Sequence, residues 1–105
     1  MTTFRYKPYK IADLWAEHLE KKSKGVDEPY INIGDYVVIQ SEDYLKSALR
    51  KSSHSDRILA HSDYLMYVVQ SCKVAEDLYY TTVVDSNGED LILIDDDIKM
   101  VYKKV

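Results

Sequence analysis

The sequence predicts an α+β fold, in which a small five-stranded antiparallel barrel carries one helix ahead of it and a helical insertion between its first two strands. Three stretches carry that prediction. Tyr79 to Val105 is rich in aromatic and β-branched residues, Ile11 to Lys24 has apolar residues at helical spacing, and Ser41 to Asp63 is a polar interruption between two apolar runs. A chain of 105 residues suits one domain, 1–105, with the helix at 11–24 and the barrel at 34–105 interrupted by the insertion 41–63. Domains of this size bury roughly 60 to 70% of their unfolded surface, enough to fold without a metal or a disulfide.

In Ile11 to Lys24, the residues Ile11, Leu14, Trp15, His18 and Leu19 fall on one stripe of an α-helix. Pro8 stands just ahead, basic residues fill the last turn, and Gly25 supplies the residue that ends helices in a left-handed conformation. The stripe must be buried, and the barrel wall or its open end is the simplest cover. Val26 to Ile33 then connects, with Tyr30 to Ile33 expected to run extended along a neighbouring edge, and Gly34-Asp35-Tyr36-Val37-Val38-Ile39 opens the first strand.

In the insertion, Ser41 is a candidate cap, Glu42 and Asp43 suit a first turn, and Tyr44, Leu45, Ala48 and Leu49 form a second stripe, predicting a helix over Glu42 to Lys51. Ser52 to Asp56 is polar and reads as a mobile tip. From Tyr64 to Val69 the chain is apolar at both parities, as is Leu91 to Ile94, which predicts strands covered on both faces. The inserted helix, the N-terminal helix or a second copy of the chain would supply the outer cover. Tyr79 to Val84 and Leu91 to Ile94 flank Asp85-Ser86-Asn87-Gly88-Glu89, where Asn-Gly fits a tight hairpin that requires positive φ. Asp95-Asp96-Asp97-Ile98 suits one turn of 3₁₀ helix before a last strand, Lys99 to Lys103.

This order of strand, tight hairpin, strand, helical turn and strand resembles the second half of an SH3-like small β-barrel, the architecture of SH3, Tudor and KOW-type modules. With Gly34 to Ile39 as the opening strand and Leu65 to Val74 as the long second one, the resemblance spans roughly Asn32 to Val105. It is one of element order: the Ala-Leu-Tyr-Asp-Tyr motif of signalling SH3 domains and the KOW glycine are absent, so no family residue is carried over.

Composition narrows the function. The formal charge is −4 and the 14 basic residues are dispersed among 18 acids, which disfavours nucleic acid, whose phosphates require concentrated Lys and Arg. No run is long and apolar enough to span a bilayer, no leader is evident at Met1 to Lys7, and the single Cys72 reads as a core residue of its strand. A soluble cytoplasmic protein without a membrane partner is the expectation. Ten tyrosines against one Phe and one Trp suit half-exposed, interface-forming sheet.

Few residues invite catalysis. His54-Ser55-Asp56 and His61-Ser62-Asp63 repeat a histidine–carboxylate pattern able to hold a metal, but reads more simply as turn-capping aspartates with histidines in a solvated loop. Asp85, Glu89, Asp90 and the Asp95–Asp97 corner read as a solvated acidic surface. There is no phosphate-binding glycine loop and no nucleophile elbow. The expectation is therefore a non-enzymatic protein-interaction module without a cofactor. In size and composition it resembles the small acidic accessory proteins by which bacteriophages modify or inhibit host machinery. Tyr44, Tyr64, Tyr67, Tyr79 and Tyr80 are the expected contacts, with Asp95, Asp96 and Asp97 steering a basic partner. Two alternatives are a KOW-like nucleic-acid surface of Lys99, Tyr102, Lys103, Lys104, Arg50, Lys51 and Arg57, and a metal-dependent activity at His54 and His61.

Overall fold

Alternating apolar residues in the second half of the chain do form paired strands. A computed structural model describes residues 5–47, 55–76 and 78–105, with strands β1 (Tyr6–Lys10), β2 (Tyr36–Ile39), β3 (Leu65–Ala75), β4 (Leu78–Val84), β5 (Asp90–Leu93) and β6 (Ile98–Lys104). The helices are α1 (Ile11–Ser23), α2 (Glu42–Ser47) and α3 (Ser55–Ala60), and Asp95–Asp97 forms a single 3₁₀ turn. The strands make one sheet in the order β1-β6-β2-β3-β4-β5, antiparallel at every pairing.

Two features differ from the expected barrel. The sheet has six strands and is not closed, with β1 and β5 as its edges. The additional strand β1 pairs Tyr6 with Lys104 through Lys10 with Met100, and Pro8, opposite Tyr102, lies inside it. Proline lacks an amide proton, so an edge strand is where a sheet tolerates it. Pro8 therefore marks an edge strand, and α1 begins directly after it at Ile11.

The β4–β5 hairpin forms as expected, and its turn chemistry is more specific than Asn-Gly alone suggests. Gly88 has φ +80°, the position that favours glycine, while Asn87 is not left-handed. Asp85 N–H bonds Glu89 O at 3.0 Å and Gly88 N–H bonds Asp85 O at 3.1 Å, so three residues bridge the strands. A three-residue hairpin of this kind ends in a left-handed residue.

One face of the sheet is the core. Val37, Ile39, Met66, Val68, Val83, Leu91, Leu93, Ile98 and Val101 are buried and form one cluster with Leu14 of α1, Leu45 of α2 and Ile58 of α3. Each such side chain contributes roughly 1.5 to 3 kcal/mol by leaving water. Helix α1 buries Leu14 and His18 and partly buries Ile11 and Trp15, and its last turn closes through Val26 N–H to Lys21 O at 2.9 Å. Leu19, expected in the stripe, is 42% exposed.

The outer face of the sheet is not covered as expected: Leu65, Tyr67, Val69 and Ile92 are exposed. Cys72, expected in the core, is also exposed, on the stretch of β3 that pairs with Tyr80 beyond the core. Tyr30 and Ile31 are not an edge segment but buried members of the core, followed by a turn in which Asp35 Oδ2 accepts from Asn32 N–H at 2.9 Å. In the insertion, Ser41 Oγ accepts from Tyr44 N–H at 3.3 Å as a cap should, and α2 covers the first part of the expected Glu42–Lys51 helix. Residues 48–54 lie outside the described region. Residues 55–60, expected as tip and loop, form α3, which seats Ile58 in the core. Among the described residues no helix is long and apolar enough to cross a membrane.

Candidate functional site

Several of the residues singled out for contact meet at one place. Where α1, α2, the start of β4 and the acidic 3₁₀ turn converge, a cleft of about 420 Å³ opens, walled by Trp15, Tyr44, Leu78 and Tyr79 and edged by Asp95 and Asp96. Trp15 reaches it because its helix packs its stripe on the sheet, and Tyr44 because Ser41 starts α2 immediately after β2.

The wall behind the cleft is an aromatic cluster. The ring centroids of His18 and Tyr30 lie 5.0 Å apart, those of Tyr30 and Tyr79 5.3 Å, and those of Trp15 and Tyr30 5.8 Å. The edge-to-face contacts of Tyr30 with Trp15 and Tyr79 add to burial and fix ring orientation. Tyr79 is only 5% exposed and donates its hydroxyl to Asp27 Oδ1 at 3.0 Å, while Lys73 holds the other oxygen of Asp27 at 2.6 Å. Burial raises the Tyr79 phenol pKa, and its bond to Asp27 adds to the shift. The Lys73 ammonium holds the Asp27 carboxyl below the usual carboxylate range, with Tyr79 assisting. Tyr79 is thus a fixed wall and not a mobile contact residue.

The three aspartates of the corner have three different environments. Asp97 is 1% exposed and accepts Ile94 N–H on Oδ2 at 3.0 Å, so it is a structural cap and not the steering charge it was expected to be. Asp96 is exposed at the cleft rim. Asp95 accepts the Tyr30 hydroxyl on Oδ2, and its Oδ1 is buried with no hydrogen-bond partner. Burial raises its pKa above the ordinary value, more than the Tyr30 hydroxyl lowers it, and the charge on Asp96 adds to the rise. A cation in the cleft would relieve that deficit.

The remaining expected contacts lie apart. Tyr67 meets Tyr36 edge-on at 5.2 Å on the outer face of the sheet, Tyr80 is exposed on β4, and Tyr64 packs edge-on against His61 at 5.4 Å. Trp15, read from the sequence as a core residue, packs against the core cluster and also lines the cleft.

A second constellation gathers around His61, which is 6% exposed and not in a solvated loop. It is brought not to Asp63 but to the hairpin turn. Its Nδ1 lies 2.8 Å from Arg57 O, and its Nε2 lies 3.2 Å from Asp85 Oδ2 and 3.8 Å from Glu89 Oε2. The Arg57 carbonyl raises the imidazole pKa, and the two carboxylates reinforce it against burial. Asp63 instead takes φ 61° and lies 3.7 Å from Lys99 Nζ, and His54 lies outside the described residues.

The cations of the nucleic-acid alternative are engaged elsewhere. Lys103 Nζ sits 2.6 Å from Asp35 Oδ2, Lys99 faces Asp63, and Arg57 Nη2 lies 3.3 Å from Glu89 Oε1 and 2.7 Å from Asp90 O. Arg50 and Lys51 lie outside the described residues. No protein-family model, curated protein or solved structure matches this chain.

Proposed function

We propose that this chain is a non-enzymatic protein-binding module on an SH3-like scaffold, and that the cleft between α1, α2 and the 3₁₀ turn seats a basic side chain of its protein partner. The scaffold reading is supported by the run β6-β2-β3-β4-β5, by the length of β3, and by the single helical turn before β6, with β1 as an addition to one edge. The binding reading rests on one observation: Trp15, Tyr44 and Tyr79 surround a hollow whose charged members among the described residues, Asp95 and Asp96, are both acids. Aromatic faces attract cations through their quadrupole, and a planar guanidinium can stack on a ring while donating to carboxylates. Among the described residues the lining pairs no nucleophile with a base, so recognition fits it better than catalysis. The nucleic-acid alternative has less support, since Lys99, Lys103 and Arg57 already face acids or carbonyls.

Trp15 is the chain's single tryptophan, so its emission reports directly on the cleft. Titration with a short arginine-containing peptide is expected to shift that emission saturably, Asp96→Lys to abolish the response, and an acidic peptide of equal length to give none. An unchanged emission with the basic peptide, or an equal response from Asp96→Lys, would remove the cleft as the binding site.

A further inference from the structure

A neutral His61 cannot satisfy both of its neighbours, so either a proton or a cation has to sit between Nε2 and the carboxylate. A neutral imidazole has one N–H and one lone pair. Both of its ring nitrogens face acceptors here: Nδ1 the carbonyl of Arg57 at 2.8 Å, Nε2 the carboxylate of Asp85 at 3.2 Å. With Nδ1–H donating to the carbonyl, the Nε2 lone pair is directed at an anion. An electropositive centre shared by Nε2 and the carboxylates removes the conflict.

We propose that His61, Asp85 and Glu89 form a binding site for a divalent cation of the zinc class, which ties the insertion helix α3 to the β4–β5 hairpin. Their donor atoms all lie within 4.8 Å of one another. Two ligands of a tetrahedral ion at ~2.0 to 2.1 Å stand roughly 3.3 to 3.4 Å apart, and the distances of 3.2 and 3.8 Å from His61 Nε2 to the two carboxylates bracket that spacing. Only Glu89 needs to move, and its side chain is half exposed.

Each ligand also has a partner that aims it. The Arg57 carbonyl fixes the His61 ring. Asp85 Oδ1 accepts the amides of Asn87 at 2.8 Å and Glu89 at 2.9 Å, which leaves Oδ2 directed at His61. Glu89 Oε1 is held by Arg57 at 3.3 Å, which leaves Oε2 for the ion. Such outer partners are what distinguish a metal site from acids that happen to be near each other. One imidazole and two carboxylates favour zinc-class ions over magnesium or calcium, and three protein ligands leave a fourth position for solvent on the Glu89 side.

The test uses the full chain, stripped with a chelator and titrated with zinc chloride by calorimetry, with magnesium and calcium chloride in parallel. One zinc ion per chain and a raised thermal midpoint are expected. Glu89→Gln, an exposed change that spares the fold, is expected to weaken zinc at least 10-fold, and His61→Gln further. Absence of saturable zinc binding, wild-type affinity in Glu89→Gln, or magnesium binding as tightly as zinc would each overturn the proposal.

Discussion

Two aspartates at two turns of this sheet are shifted in opposite directions. Asp85 opens the β4–β5 turn, and Asp95 opens the 3₁₀ turn that leads into β6. Burial pushes both carboxyls upward. At Asp85 the Glu89 amide, His61 and the Asn87 amide outweigh burial and hold the carboxyl below its ordinary value. At Asp95 the Tyr30 hydroxyl and, more weakly, His18 oppose burial, the charge of Asp96 adds to it, and the carboxyl stays raised. How many donors the fold supplies therefore decides whether a half-buried acid carries its charge without further help. The hairpin supplies enough donors to settle its acid, whereas the cleft leaves Asp95 with an unmet oxygen.

The largest expected effect lies at the most buried acid of the corner. Asp97→Ala removes the acceptor of Ile94 N–H at a side chain that is 1% exposed, and is expected to cost about 1 to 3 kcal/mol in urea denaturation. Asp97→Asn, which retains an acceptor, should cost less. If Asp97→Ala were neutral, the donor count would not be the distinction between these turns.

A smaller effect isolates the backbone of the hairpin. A Cβ at Gly88 would meet nothing within 4 Å, so Gly88→Ala probes only the φ of +80°. It is expected to cost about 1 kcal/mol in the same assay. Because Asp85 takes its donors from this turn, the substitution should also weaken zinc binding if the turn presents Oδ2 to the metal.

These turns were also unequally legible in the sequence. The hairpin was readable because its signal is local: Asn87-Gly88 between two strand-forming runs needs no tertiary information. The 3₁₀ turn was readable for the same reason, but the division of labour within it was not, since Asp95, Asp96 and Asp97 are one letter repeated and their roles come from Tyr30, the solvent and Ile94 N–H. Strand β1 was hidden by Pro8 and by lysines alternating with tyrosines, a pattern that only pairing with β6 converts into sheet. Helix α3 was hidden by its polar start, and Ile58, its deeply buried residue among those described, was too little to set a period. The apolar residues at both parities of β3 implied a second cover, yet Leu65, Tyr67 and Val69 face outward. His61 and Asp85 are 24 positions apart, so only the fold could show that they meet. The cleft was half legible: Tyr44, Tyr79, Asp95 and Asp96 were singled out, but Trp15 was assigned to the core because a helical stripe does not reveal where the core ends.

The smallest effect bears most directly on the cleft. The folded pKa of Asp95 is raised, so between its unfolded value, about 3.9, and the folded one the native state binds more protons than the unfolded chain. Stability attributable to this group therefore falls as pH rises through that window, the reverse of a typical paired carboxylate. Asp95→Asn keeps an acceptor for the Tyr30 hydroxyl and cannot ionise. The stability difference between Asp95→Asn and the parent should thus shift in favour of the variant as pH rises through the window, then level off above it. A difference independent of pH would mean that Asp95 carries no penalty for being charged. Adding the arginine-containing peptide should shrink the variant's advantage at neutral pH, because a bound cation stabilises the charged Asp95 and does nothing comparable for asparagine. An advantage that survives saturating peptide would separate the buried carboxyl from the binding site and leave Asp96 as the only acid the ligand meets.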